Sequence, residues 1–325
     1  MRYRLKDIPA MLGTPAGRRQ VADGVAYRLW PAASRLARLY RCTIARRTRV
    51  VAVVGSFGKS TTTRAIAAAV AAPEAKSTTA NAWTAVAQAV LRIRPSQRHA
   101  VIEVGIGGPG QMEPYARLLR PDLTVVTSIG SEHHETLGSL DVTRAEKARM
   151  VSAMSTSGIA VLNGDDPNVL WMTAQAPGRV IAFGFGAGCD VRAEHIRLDW
   201  PHGTRFRLDA FGQQRELAVR LIGRQMIYPV LAAIAVALAE GVALDDALSR
   251  IRPLPPTRAQ WILFRFRTAQ SSCGTITSRL SKHSRRSTYW LMFRCRAASC
   301  CSATCPIRKA RSYRSTSRSA LAPRG

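Results

Sequence analysis

Seven residues constrain this chain more than any others. Gly55-Ser-Phe-Gly-Lys-Ser-Thr61 follows the short apolar run Val50–Val54 and opens an Ala- and Thr-rich stretch, Lys59–Val70. An apolar run of that length ending in glycine reads as a buried parallel strand, and the stretch after it reads as a helix. A strand, a glycine-bearing turn and a helix together form a phosphate cradle. Gly55 and Gly58 let the backbone of Ser56 and Phe57 curl so that N–H groups face phosphate oxygens. The helix N-terminus adds favourable potential there. Lys59 then reaches the β/γ-phosphates, the Ser60 hydroxyl is a Mg²⁺ ligand, and Thr61 completes the loop. The strict G-x-x-x-x-G-K-[ST] form is not met, because Val53 stands where its first glycine would be.

The rest of the middle of the chain continues the alternation. Strands are expected near 100–104, 123–127 and 158–162, with helices near 111–119 and 140–154 between them. Segments 190–198, 203–210 and 215–221 read as consecutive short strands, an antiparallel appendage. A long Ala-rich helix at 225–240 and a short one at 245–251 follow, and Pro253, Pro255 and Pro256 mark a boundary. The fold class is therefore α/β: a P-loop-type, doubly wound, mostly parallel sheet with a small antiparallel appendage.

In a parallel sheet the carboxyl ends of the strands share one edge. Glu103 closes its strand in Val101-Ile-Glu-Val-Gly105, and the next strand runs on into Thr127-Ser-Ile-Gly-Ser-Glu-His-His134. Glu103 and His133 can thus converge on a metal beside the γ-phosphate. Taken singly, His133 reads as a loop histidine and Glu103 equally as a paired structural carboxylate, since Mg²⁺ prefers oxygen and seldom takes imidazole.

The ordered set of motifs is more specific than any one of them. The short loop G-[ST]-x-G-K-[ST]-[ST], Glu103-Val-Gly105, Pro121-Asp122-Leu-Thr-Val-Val-Thr127, Ile129-Gly-x-x-His133, Leu137-Gly-Ser139, Ala145-x-Lys147 and Val161-Leu-Asn-x-Asp-Asp166 occur in the order and spacing of the Mur ligases. From about residue 48 to 258 the chain resembles the central ATP-binding domain of that family. The branch it looks most like is the D-alanyl-D-alanine-adding one of peptidoglycan synthesis. The resemblance implies ATP and Mg²⁺ as cofactors, with Gly55 to Thr61, Asn163 and Arg258 binding ATP. Ser60, Glu103, His133 and Lys147 would surround the metal, and Lys59, His133 and Lys147 would serve catalysis. Lys147 matches the family lysine that is carbamylated; by its sequence alone it is a solvated lysine in a charged helix, 144–149. The implied reaction phosphorylates a carboxylate and lets an amine attack the acyl phosphate. Its partners are small carboxylate and amine substrates, muramoyl-peptide-like or amino-acid-like. A folylpolyglutamate or cyanophycin synthetase-like ligase is the related alternative.

Some positions depart from the pattern. Arg149 stands where the family has an acid, and the family's Gly-Arg-His-Asn is Gly223-Arg-Gln-Met226 here. Only about 48 residues precede the ATP domain, so the family's UDP-sugar domain is not matched.

Charge raises a different class of function. The formal net charge is +28, which suggests nucleic acid. Residues 1–49 hold 12 Lys/Arg and 2 acids, and residues 247–325 hold 17 Lys/Arg and none, whereas residues 50–246 are nearly neutral. The motifs lie in the neutral part. Aromatics are 6% and no nucleic-acid motif is present, so a nucleic-acid partner is not expected. The N-terminal segment, 1–47, is basic and amphipathic, with Leu29, Ala33, Leu36 and Tyr40 at helical spacing beside Arg35, Arg38 and Arg41. It reads as a helix packed on the next domain, or as an interfacial helix making peripheral contact with an anionic membrane. No run reaches the ~18–20 apolar residues of a membrane span, and no signal peptide is visible, so a cytoplasmic location is expected.

Four segments are expected: 1–47, the ATP domain 48–252, a hinge 253–263, and a tail 264–325 that is not a recognisable domain. The tail carries five of the seven cysteines, Cys273, Cys295, Cys300, Cys301 and Cys305, in no usual zinc spacing. It reads as an out-of-frame product. Taking the third base of each codon with the first two of the next lets Gly274-Thr-Ile-Thr277 become Asp-Asp-Tyr, the opening of the family's last domain. The expectation is a disordered tail and a chain that lacks the closing domain, binds ATP weakly and is inactive.

Overall fold

The computed structural model describes residues 7–73, 83–131 and 134–256. All of them belong to one compact unit, Met1–Ala269. His133, Arg258 and the tail 264–325 lie outside the described residues.

Eight strands form one sheet in the order β2-β1-β3-β4-β5-β6-β7-β8. They are β1 Arg49–Val54, β2 His99–Glu103, β3 Leu123–Val126, β4 Ile159–Asn163, β5 Arg179–Gly184, β6 Val191–Asp199, β7 Gly203–Ala210 and β8 Gln213–Val219. The first six in the order are parallel. β6, β7 and β8 then run antiparallel, which is the expected appendage. β5 was not among the sequence expectations; it begins just after Gly178, and half of its residues are not fully buried, so it lacks the unbroken apolar run of β1.

The parallel strands are apolar throughout because both faces are covered. In β1, Val51 and Val53 face one core and Val50, Ala52 and Val54 the other, all without solvent exposure. The first core is closed by α3 (Lys59–Ala69), α9 (Ile227–Ala239) and α10 (Leu244–Ile251). α9 is apolar on nearly every side and accordingly sits in the middle of the core. The second core is closed by α2 (Pro15–Cys42), α4 (Trp83–Leu91), α5 (Met112–Leu119) and α7 (Leu140–Ser152).

α2 is longer at its start than its apolar spacing suggests. Thr14 caps it by accepting from Gly17 N at 3.0 Å, with Pro15 in the first turn. Its C-terminal half is anchored to the sheet domain. Trp30 packs edge-on against Tyr115 with centroids 5.9 Å apart. The Tyr40 hydroxyl donates to Ile93 O at 2.6 Å. Arg41 is buried and donates to Ala45 O at 2.8 Å, Leu119 O at 2.9 Å, Arg120 O at 3.2 Å and Asp122 Oδ2 at 3.0 Å. Asp122 in turn accepts from Val50 N at 2.8 Å, so the network ties the helix to the start of β1. Burial draws the Arg41 guanidinium below its ordinary value, with Asp122 opposing the shift.

Candidate nucleotide site

The register places the site. Val53 of β1 lies beside Glu103 of β2, and Val54 lies beside Val126 of β3. Val126 pairs with Leu162 of β4. The turn Gly55–Gly58, the Glu103 carboxylate, the segment 127–130 and Asn163 therefore leave the sheet at one edge.

The turn is braced from β3. Ser56 N donates to Ser128 O at 2.8 Å, and Phe57 N donates to Ser128 Oγ at 3.0 Å. The Thr127 hydroxyl donates to Phe57 O at 2.6 Å. Gly55 has φ +145°, and a Cβ there would stand 2.0 Å from Thr127 Oγ1. This position therefore requires glycine on two counts. Gly58, at φ +83°, opens α3. The N–H groups of that first turn have no acceptor within the helix and face outward, as an anion requires. Ser60 is exposed there. The Lys59 ammonium folds back on the loop and donates to Gly55 O at 2.8 Å and Ser56 O at 3.0 Å.

A third element joins through Ser56. Its hydroxyl donates to Gly130 O at 3.1 Å, and accepts from Gly130 N at 2.8 Å and from Lys147 Nζ at 2.8 Å. Lys147 belongs to α7, whose N-terminus is capped by Ser139 accepting from Val142 N. Although its sequence surroundings are charged, Lys147 is 4% exposed. It lies on the inward face of α7 beside buried Glu146, which accepts from Met112 N at 2.9 Å. Arg149, the departure from the family pattern, points outward and bonds Glu113 at 2.8 Å.

The far side of the site is held by two aspartates. Asp166 caps the short helix α8 (Pro167–Leu170) and accepts from Ile129 N at 2.8 Å. Asp165 accepts from Phe185 N at 2.6 Å, Gly186 N at 2.9 Å and the Tyr228 hydroxyl at 2.9 Å. Burial, reinforced by that bond to Asp165, pushes the Tyr228 hydroxyl well up. Phe185 and Tyr228 pack with their rings tilted by 44° and centroids 4.4 Å apart, and the Arg224 guanidinium lies 4.7 Å over the Phe185 ring. Asn163 is buried between these groups and the loop. It donates to Thr127 O at 2.8 Å and accepts from Asp165 N at 3.0 Å.

Of the sequence candidates, Gly55, Ser56, Phe57, Gly58, Lys59, Ser60, Thr61, Glu103, Lys147 and Asn163 all lie at this edge. His133 and Arg258 fall outside the described residues. Sequence reasoning did not single out Thr127, Ser128, Gly130, Asp165 or Tyr228, although all but Tyr228 fall within the stretches quoted above. As a donor set, the Ser60 hydroxyl and the Glu103 carboxylate are hard oxygens that suit Mg²⁺. Among the described residues no three His, Cys, Asp or Glu side chains gather into a metal cluster.

Fold and site define a nucleotide-binding α/β domain with a braced phosphate loop. Its sequence matches the Mur ligase middle domain over residues 53–237, and the chain belongs to the Mur ligase family. It is 31% identical over 215 residues to the UDP-N-acetylmuramoyl-tripeptide–D-alanyl-D-alanine ligase of Escherichia coli, covering 64% of this chain and 47% of that protein. It is 29% identical over 216 residues to the enzyme of the same name from Mycobacterium tuberculosis, covering 64% and 41%. The chain thus spans less than half the length of these curated relatives. Its fold is that of MurF from Acinetobacter baumannii, with a TM-score of 0.66 at 24% identity over 70% of this chain and 51% of that one. MurF ligase from Thermotoga maritima in complex with ADP gives 0.61 at 19%, over 69% and 52%. No helix among the described residues is long and apolar enough to cross a membrane.

Proposed function

We propose that the chain is the ATP-binding part of an amide-forming ligase that activates a carboxylate as an acyl phosphate. The observation that carries the reading is the braced loop Gly55–Thr61, with Lys147 brought to it from a separate helix. A loop held at this many points presents its N–H groups without further reorganisation, which is how charge developing on a transferring phosphoryl group is best met.

In this reading the first turn of α3 and Lys59 bind the β/γ-phosphates. Lys59 leaves the carbonyls of Gly55 and Ser56 to do so. Asn163, Asp165 and the Phe185–Tyr228 pair border the nucleoside side. The carboxylate oxygen attacks the γ-phosphorus and the bond to the β,γ-bridging oxygen breaks, releasing ADP. The amine nitrogen then attacks the acyl carbon, loses a proton and expels phosphate. Mg²⁺ held by Ser60 and Glu103 would offset the negative charge on the triphosphate. Carbamylation of Lys147 would turn its amine into an anionic oxygen ligand at the same edge. The names of the relatives point to a muramoyl tripeptide as the carboxylate and to D-alanyl-D-alanine as the amine.

The test is ATP affinity measured by calorimetry with Mg²⁺ for the full chain and for Lys59→Ala. The variant is expected to bind at least tenfold more weakly, a loss of about 1.4 kcal/mol. Unchanged affinity would sink the proposal. Phosphate release that depends on both substrates would extend it to the complete reaction.

A further inference from the structure

α2 presents two faces, and among the described residues the sheet domain packs on only one of them. The inner face, Trp30, Ala33, Ala37, Tyr40 and Arg41, packs on the sheet domain. Val25, Leu29, Leu36 and Leu39 recur four, seven and three residues apart and so line one other stripe of the same helix. The four are exposed, Leu29 at 58%, Leu36 at 56% and Leu39 at 60%. Ala22 and Ala32 are exposed on the same line. Arg28 and Arg35 flank it one helical step away, both exposed. Leucines held more than half in water along three turns are a cost that a lone soluble helix would avoid.

We propose that this stripe docks on an anionic lipid surface. Helix α2 would lie in the plane of the membrane, with its leucines in the headgroup–acyl boundary and its arginines among the phosphates. Charge selects this occupant. Arg28 and Arg35 beside the stripe are exposed, and the first 49 residues carry 12 basic side chains, Arg41 and Arg49 among them engaged with the sheet domain, against 2 acidic ones, so the segment suits a negative partner. A second copy would set Arg28 and Arg35 against their own kind. Residues 247–325 are basic without one acid and would be repelled likewise. Docking in this way leaves the inner face and the nucleotide edge unchanged, so it is independent of the ligase reading.

Co-sedimentation of the full chain with vesicles tests the proposal, using phosphatidylcholine alone and with about one third phosphatidylglycerol. The comparison variant is Leu29→Asp/Leu36→Asp/Leu39→Asp, checked by circular dichroism and thermal unfolding. These side chains touch solvent, so its melting should match the parent. A second variant, Leu29→Ser/Leu36→Ser, serves if the first fails to fold. The expected result is binding to the anionic vesicles that persists in part at high salt and falls at least tenfold in the leucine variants. Binding that the leucine variants retain overturns the proposal, and assigns the affinity to the other basic residues. Absence of vesicle binding, with self-association or capture of an acidic protein that the variants abolish, overturns it in favour of a protein partner.

Discussion

Lys147 Nζ and the Ser56 hydroxyl meet at 2.8 Å although 91 residues separate them in the chain. The contact joins α7 to the phosphate loop, and Gly130 completes it from the end of β3. Ser56 is a hub because one hydroxyl can donate once and accept twice, and all three capacities are used. Replacing Ser56 by Ala should therefore lower stability by about 1–3 kcal/mol. It should also weaken ATP binding more than its position beside Lys59 alone would suggest. Urea unfolding and calorimetry on the variant check both, and a stability equal to the parent's would show that the hub is not structural.

Lys147 gives the second prediction, which rests on the proposed carbamate. Incubation with ¹³C-bicarbonate should produce one carbamate resonance that is missing from Lys147→Ala. Amide formation, where present, should be lost in that variant while ATP affinity changes little. A carbamate signal that survives the substitution would place the modification elsewhere.

The glycines of the site should differ sharply. Gly55→Ala forces a Cβ onto Thr127 Oγ1 at a positive φ, and no neighbouring backbone can give way. About 3 kcal/mol of destabilisation is expected. Gly130→Ala meets only the Phe57 ring, at 2.6 Å, and that ring is 56% exposed and can swing aside. Its thermal midpoint should stay near the parent's. Equal losses in the two variants would contradict the argument.

Acid stability should depend on Glu240, at the end of α9. Burial raises its pKa, but hydrogen bonds from His99 at 3.0 Å and from Arg49 at 2.6 Å outweigh that and pull it down from 4.5 to about 2. A carboxylate depressed in the folded state stabilises above its unfolded value. Its contribution is therefore full above pH 4.5 and is lost as pH falls toward 2. Unfolding free energy measured from pH 6 to 2 should fall less steeply for Glu240→Gln than for the parent. At neutral pH, Glu240→Ala should cost about 3 kcal/mol, because Arg49 and His99 lose their shared partner.

Much of this architecture was legible in the sequence. Where a strand was expected it lies within two residues of the expected position; β1 to β4 were legible because parallel strands buried on both faces leave short, unbroken apolar runs. β5 and α4 escaped notice. β5 is only partly buried, and α4 is only nine residues long. Within the site, Gly55, Lys59 and Ser60 were legible because their chemistry is local to one turn. The braces were not. Thr127, Ser128 and Gly130 reach the loop across 70 to 74 residues, and Lys147 looked like a surface residue because its neighbours Arg144 and Arg149 are charged. Arg149 shows the limit in the other direction: as a departure from the family pattern it drew attention, yet it pairs with Glu113 at the surface and with Glu146 one turn back on its own helix.

Arg41 has a consequence for where this domain can be cut. The family match opens at residue 53, yet the carbonyls of Leu119 and Arg120 receive hydrogen bonds from a side chain 12 positions upstream of that point. A polypeptide begun at residue 48 would leave Arg49 as the one arginine paired with Asp122 and would strip Trp30 from Tyr115 of α5 and Tyr40 from Ile93 O. The piece of chain that is recognisable by descent is thus smaller than the piece that can hold itself together. Recombination or truncation that respects the first boundary and ignores the second should yield an insoluble fragment.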